Sequence, residues 1–227
     1  MTEYKLTDES IKVDGKTLYR IELTKNHMVH GSEGTKGGYI ESTKNLTGNA
    51  FVYDNAKVYG KAVVTDKARV FGKATVSGNA RVSEDARVSE SAEVSGIGNV
   101  SGKAKVYGEA WVSGNAKVSG DAKIFGNANV YGSAKVSGKA NVSGNAIATN
   151  NAEVHGSAEV SGKAKVSGKA EVSDNAQVYG GAWVSGDSKV GGNAHVYGKA
   201  RVYDKAMVSG KANVSGNTHV YRNDKVS

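Results

Sequence analysis

A chain of 227 residues has room for one sizeable domain and a small appendage. Thirty glycines with no cysteine and no proline exclude disulfides and thiolate metal sites, and point to a fold with many tight corners. The formal net charge is +8, and no stretch approaches the ~18 apolar residues of a membrane span. The opening MTEYKLTDES lacks the apolar run of a signal peptide, so the expected location is the cytoplasm.

Residues 1–49 differ in kind from the rest. Ile11 to Ile21 predicts two short strands around an Asp14-Gly15 hairpin turn. A polar, glycine-bearing loop follows from His27 to Gly38, and Tyr39-Ile40-Glu41 reads as a brief strand leading onward. Seven basic and seven acidic residues leave this segment neutral. It is read as an N-terminal β cap, because the end coil of a solenoid needs covering. His27 and His30, three residues apart, make at best a weak metal pair. No metal and no cofactor are expected.

From residue 50 to residue 227 the chain repeats every six residues without insertion or deletion. Alanine stands two residues before each valine, as in the stretch KVYGEAWVSGNAKVSG from Lys105 to Gly120. Thirty units follow one another, and the valine position departs only at Ile124 and Ala148. The small-residue position departs from alanine only at Gly98, Ser188, Thr218 and Asp224. Within each unit Ala-x-Val is a period-two strand with Ala and Val on one side. The Ser/Tyr-Gly-Asn/Lys that follows is a corner needing positive φ. Three strands and three corners close a triangular coil, and stacked coils make a parallel β-helix. Thirty units give about ten coils, a rod of ~48 Å at ~4.8 Å per strand. The basic excess, 23 Lys/Arg against 15 Asp/Glu, lies wholly in this part. It serves solubility and can also steer an acidic partner. At the end, Tyr221, Arg222, Asn223 and Asp224 break the glycine and alanine positions. That either blunts the last coil or leaves it to meet a second copy.

The units V-S-G-N-A-K and V-Y-G-K-A resemble the hexapeptide repeats of left-handed β-helix proteins, over residues 50–227. The resemblance implies an all-β, left-handed parallel β-helix. The strings LYRIELT and GGYIESTKNL resemble the head segment of uncharacterised bacterial and prophage proteins labelled transferases on fold grounds. This implies a bacterial cell as the setting and a phage or prophage origin.

Taking every eighteenth residue sorts the outward positions onto three faces. The first carries Phe51, Arg69, Arg87, Lys105 and Lys123 in sequence, a basic row. The second carries Trp111, Ile147, Trp183 and Arg201, with His219 at its end. The third is mixed in charge. The corner between faces one and two holds Tyr53, Phe71, Tyr107, Phe125, Tyr179 and Tyr197. The corner between faces two and three holds Tyr59, Tyr131, Tyr203 and Tyr221, while the third corner has no aromatic residue. Residues 105–146 match 177–218 at most positions, so Trp111 recurs as Trp183 four coils on. Exposed aromatic rings gathered on one side favour protein contact.

These positions lead to a non-catalytic binding or scaffold rod. Its expected contact surface is Trp111, Trp183 and Ile147 with Tyr107, Phe125, Tyr131, Tyr179, Tyr197 and Tyr203. Arg69, Arg87, Lys105, Lys123 and Arg201 supply steering charge. With the prophage-like head, one version is a phage protein that binds and inhibits a host defence factor. Three alternatives stay open. One is a homo-oligomer formed through the same face or the last coil. Another is nucleic-acid binding along the basic row. The third is an enzyme like the hexapeptide acyltransferases, which use a histidine base beside a loop that interrupts the repeat. Here the repeat is uninterrupted, and His155, His195 and His219 are scattered.

Overall fold

The computed structural model describes residues 3–227. Thirty two-residue strands run from Phe51–Val52 to Lys225–Val226. They stack into three sheets whose neighbours along each stack are eighteen residues apart and parallel, as in Arg87 opposite Lys105 and Val88 opposite Val106. Each sheet takes ten of these strands, one from each of ten coils, as the six-residue spacing requires. The fold is an all-β parallel solenoid.

The physical reason lies in how each unit satisfies its backbone. The outward residue donates its N–H to the carbonyl of the small residue one coil further on: Lys105 to Ala122 and Trp111 to Ala128, both at 2.9 Å. The residue after each valine donates in the same way to the valine position one coil further on, Tyr107 to Ile124 at 3.0 Å. Alanine and valine side chains fill the triangle, and nearly all are fully buried. Alanine keeps the core narrow, so each coil closes on itself and touches only its neighbours.

The corners stack as tightly as the strands. Gly108 has φ +76°, and a Cβ there would lie 2.8 Å from the Gly126 nitrogen. The same left-handed position is held without glycine at Asp54, Asp66, Asp174 and Asp204. Each of these carboxylates accepts the N–H of the residue one coil on, namely Gly72, Glu84, Gly192 and Arg222, at 2.8–3.1 Å. That bond offsets part of the cost of a side chain at positive φ.

At the N-terminal end, β1 (Tyr4–Val13) and β2 (Lys16–Leu23) form an antiparallel hairpin. Asp14 and Gly15 turn it with φ of 50° and 74°, both positive as a type I′ turn demands. β1 begins seven residues earlier than expected, because Tyr4 and Leu6 pack on the solenoid core; the polar stretch between Leu6 and Ser10 bulges out of register with β2. β3 (Lys36–Ile40) pairs antiparallel with β2 and parallel with the first strand of the second face, Lys57–Val58. The hairpin thus prolongs the second sheet to thirteen strands. The ladder also reaches upstream of residue 50: Ile40 stands opposite Val58 and Leu46 opposite Val64.

The strings LYRI, GGYIE and NL are joints of this end. Arg20 donates to Glu9, to the Gly37 carbonyl and to Tyr39, and its guanidinium lies 4.4 Å from the Tyr39 ring centre. Gly38 lets β3 close on the first coil, since a Cβ there would fall 2.6 Å from the Ala56 oxygen. Glu41 accepts from Lys16 and from the Gly60 N–H, and these contacts, Lys16 first, hold its carboxyl below the usual range. Asn45 sits on a 3-10 turn, Thr43–Asn45, that faces its side chain inward. Its amide donates to the carbonyls of Gly60 and Ala62 at 3.1 and 2.9 Å, where the regular ladder would use backbone N–H groups.

Phe51 departs from expectation. It occupies an outward position of the first face yet is fully buried. The loop between β2 and β3 folds over it and stacks His30 on its ring at 5.0 Å. His30 uses both nitrogens, with Tyr53 Oη at 2.6 Å and the Asn49 carbonyl at 2.9 Å, and His27 stacks on its other side at 4.1 Å. The pair is a packing element. Among the described residues, no group of three or more His, Cys, Asp or Glu side chains is placed to hold a metal ion.

Candidate interaction surface

Outward residues of one face stand in a straight column, because a parallel ladder in register places identical positions above one another. On the second face Trp111 is flanked in the ladder by Glu93 and Asn129, and Trp183 by Lys165 and Arg201. The two indoles are 46% and 39% exposed, among the largest apolar surfaces the rod leaves open. Ile147 lies between them in the column and is half-buried.

Both indoles are fixed in the same way. Trp111 Nε1 donates to Ser95 Oγ and Trp183 Nε1 to Ser167 Oγ, each at 3.1 Å. Ser95 and Ser167 belong to the corner between the second and third faces, so both rings lean to that side. Lys165 Nζ and Arg201 Cζ lie 5.4 and 5.5 Å from the Trp183 ring centre, one cation from the coil on each side. A cavity of about 290 Å³ opens beside it, lined by Trp183, Ser185, Arg201, Tyr203, Asp204 and His219.

The corner rings form short stacks. Tyr107 lies flat on Phe125 and Tyr179 on Tyr197, each with centres 5.0 Å apart; Tyr203 lies on Tyr221 at 5.5 Å. Tyr131 is exposed on the corner toward which the indoles lean. The aromatic residues therefore divide. Trp111, Trp183, Tyr131 and Tyr203 share one border of the second face, and Tyr107, Phe125, Tyr179 and Tyr197 stand on the other. The cations divide too: Arg69, Arg87, Lys105 and Lys123 form a column on the first face, whereas Arg201 lies on the second.

A family model described as the YdcK beta solenoid repeat matches residues 74–90. The match covers less than one coil and speaks for the repeat alone. No curated protein matches the chain. No helix among the described residues is long and apolar enough to cross a membrane.

Sequence reasoning missed two features of this surface. The Lys165–Trp183–Arg201 run was readable from the eighteen-residue columns, since all three share one. The side to which the indoles lean was not, because it depends on a serine one coil away and on rotamer choice. On the third face, Glu171 accepts from Lys189 at 2.8 Å and lies 3.0 Å from His155. Its carboxyl is held below the usual range, by Lys189 first. This cluster reads as cross-coil pairing of exposed charges, of small net worth.

Proposed function

We propose that the chain is a rigid, non-catalytic rod that engages a protein partner through the second face, with Trp111 and Trp183 as anchors. The observation that carries this reading is the pair of exposed indoles, pinned identically by Ser95 and Ser167. An aromatic ring held in one rotamer before binding loses little conformational freedom on contact, which is why such rings dominate interface energetics. Tyr131 and Tyr203 extend the contact on the same border, and Ile147 fills the column between the anchors. The Tyr107–Phe125 and Tyr179–Tyr197 stacks close the far border. Arg201 and the first-face cations steer an acidic partner.

Membership of the left-handed hexapeptide class belongs to this proposal, supported by thirty units without an interruption. So does the version in which a phage-encoded rod blocks a host factor, which rests on the head-segment resemblance. The non-catalytic reading is supported by where the rod histidines are spent: His155 pairs with Glu171, while His195 and His219 pack edge-on against Tyr179 and Tyr203.

The test uses immobilised chain in nuclease-treated bacterial lysate, beside the double variant Trp111→Ser/Trp183→Ser, together with light scattering of each chain alone. A stoichiometric protein bound by the parent and lost from the variant supports the reading. Self-association lost in the variant would assign the same face to a homo-oligomer. Unchanged association in both assays would remove the second face from consideration.

A further inference from the structure

We propose that the first face, from Tyr53 to Lys123, is a binding site for single-stranded nucleic acid. Arg69, Arg87, Lys105 and Lys123 would lie along its phosphates.

Arg69 pairs with Arg87, Arg87 with Lys105, and Lys105 with Lys123, all directly opposite in the ladder. Like charges so placed destabilise a sheet. Among the described residues, every ion pair of the chain is made by other groups, and none of these four cations lies within ion-pair distance of a carboxylate. On the third face two lysines do pair across coils, Lys135 with Glu153 and Lys189 with Glu171. A column of four repelling cations is explained by an anion that bridges them.

The surface has the shape for a chain-like anion. A cavity of about 360 Å³ is lined by Val29, Tyr53, Asp54, Arg69, Phe71 and Arg87. A second, of about 510 Å³, is lined by Asp85, Arg87, Lys103, Lys105, Asp121 and Lys123. Arg87 lines both: the first opens toward the Tyr53–Phe71 border of the face and the second toward the Asp85–Asp121 corner. The four central cations span about 14 Å at ~4.8 Å per coil. The carboxylates lie on the rims: Asp54 is engaged with the Gly72 N–H, and Asp85 and Asp121 stand at the aromatic-free corner with Lys103 between them.

The opposite rim decides the class of anion. It carries Phe71 and the flat-stacked pair Tyr107 and Phe125, whose outer ring faces are turned along the rod axis. A cationic track beside ring faces is how proteins hold single strands, with phosphates on the track and unstacked bases on the rings. An acidic peptide offers the charge without the planar groups, and a duplex keeps its bases inside.

The test is fluorescence anisotropy of the full chain with a labelled mixed-sequence single-stranded DNA of ~20 nucleotides. Four phosphate contacts predict roughly fifty-fold weaker binding between ~50 and ~200 mM salt. Arg87→Glu/Lys105→Glu should weaken binding at low salt by at least about tenfold, since reversal both removes and repels phosphate contacts. Lys117→Glu/Lys225→Glu, the same net change on the third face, should leave it within about threefold, as distant exposed charges are screened. Circular dichroism melting confirms that each variant is folded; Arg69→Gln/Lys123→Gln replaces the first pair should it unfold. Equal weakening by the two reversals would reduce the effect to whole-molecule charge and overturn the proposal. So would competition by polyglutamate as strong as by unlabelled DNA, or failure to saturate at low salt. No second-face residue is altered, so this outcome and that of the tryptophan test are independent.

Discussion

Trp111 and Trp183 stand four coils apart on one face and make the same hydrogen bond to a serine one coil behind, at the same 3.1 Å. Their surroundings differ. Trp183 is held between Lys165 and Arg201, whereas Trp111 lies between Glu93 and Asn129. Two neighbouring cations offer Trp183 about 0.5–1 kcal/mol each at an exposed site. Single substitutions should therefore separate. Trp183→Ser is expected to lower the melting temperature slightly and Trp111→Ser not at all, while each weakens partner association about tenfold or more. Differential scanning calorimetry beside a binding titration reads both, and equal melting shifts would remove the cation contribution.

Corner glycines make a second prediction. At Gly108 the backbone is left-handed and the next coil presses against it. Gly108→Asp should cost about 1–2 kcal/mol, the usual expense of an L-residue in that region, reduced by the cross-coil bond that Asp54 and Asp174 already make. Gly108→Val has no such bond and a branched Cβ, so it should cost clearly more. Denaturant unfolding of both variants orders them, and the reverse order would contradict this account of the corners.

The first coil is sealed by one amide. Asn45 donates to two carbonyls that lack ladder partners. Asn45→Asp keeps the shape but points a carboxylate at those oxygens, and should destabilise the N-terminal end by about 1–3 kcal/mol, the cost of a buried polar group left unmatched. Amide exchange should rise in residues 57–65 and stay unchanged beyond the middle coils, since solenoid coils couple only to neighbours. Uniformly raised exchange would argue for an all-or-none rod.

His30 supplies a pH dependence. Burial, followed by the nearby charges of His27 and Arg69, pushes its pKa below the usual 6.5, although the Asn49 carbonyl opposes this. A base with a depressed folded pKa binds fewer protons when folded than when unfolded. Its contribution to stability is complete above about pH 6.5 and falls away as pH drops toward the folded value. The loop over Phe51 should loosen in that window. The protection of residues 27–35 against amide exchange, taken relative to the base-catalysed rate of an unstructured chain at each pH, should fall between about pH 7 and pH 5, and His30→Gln should flatten the trend. Protection in that loop indifferent to pH would disprove the coupling.

A core valine gives the plainest check. Val118 is fully buried between Val100 and Val136. Val118→Ala should cost about 1.5–3 kcal/mol, the scale of burying one such side chain. Chemical denaturation measures it, and a negligible loss would mean that neighbouring coils collapse into the gap.

What the sequence determined alone is the rod: thirty rungs, three faces, ten coils and the membership of every outward column. That was legible because a solenoid makes long-range contacts at one fixed sequence separation, so Trp183 opposite Arg201 follows from counting. The tertiary structure decided what counting cannot reach. Phe51 holds an outward position but is covered, because a loop more than fifteen residues away folds over it. Asn45 holds an outward position but turns in, because a 3-10 turn interrupts the rung. The two indoles share a column with Ile147, yet a serine's hydroxyl sets the side to which they lean. Backbone register is periodic and so survives in the sequence; side-chain direction depends on which neighbours complete its hydrogen bonds and packing, and that is settled only in three dimensions.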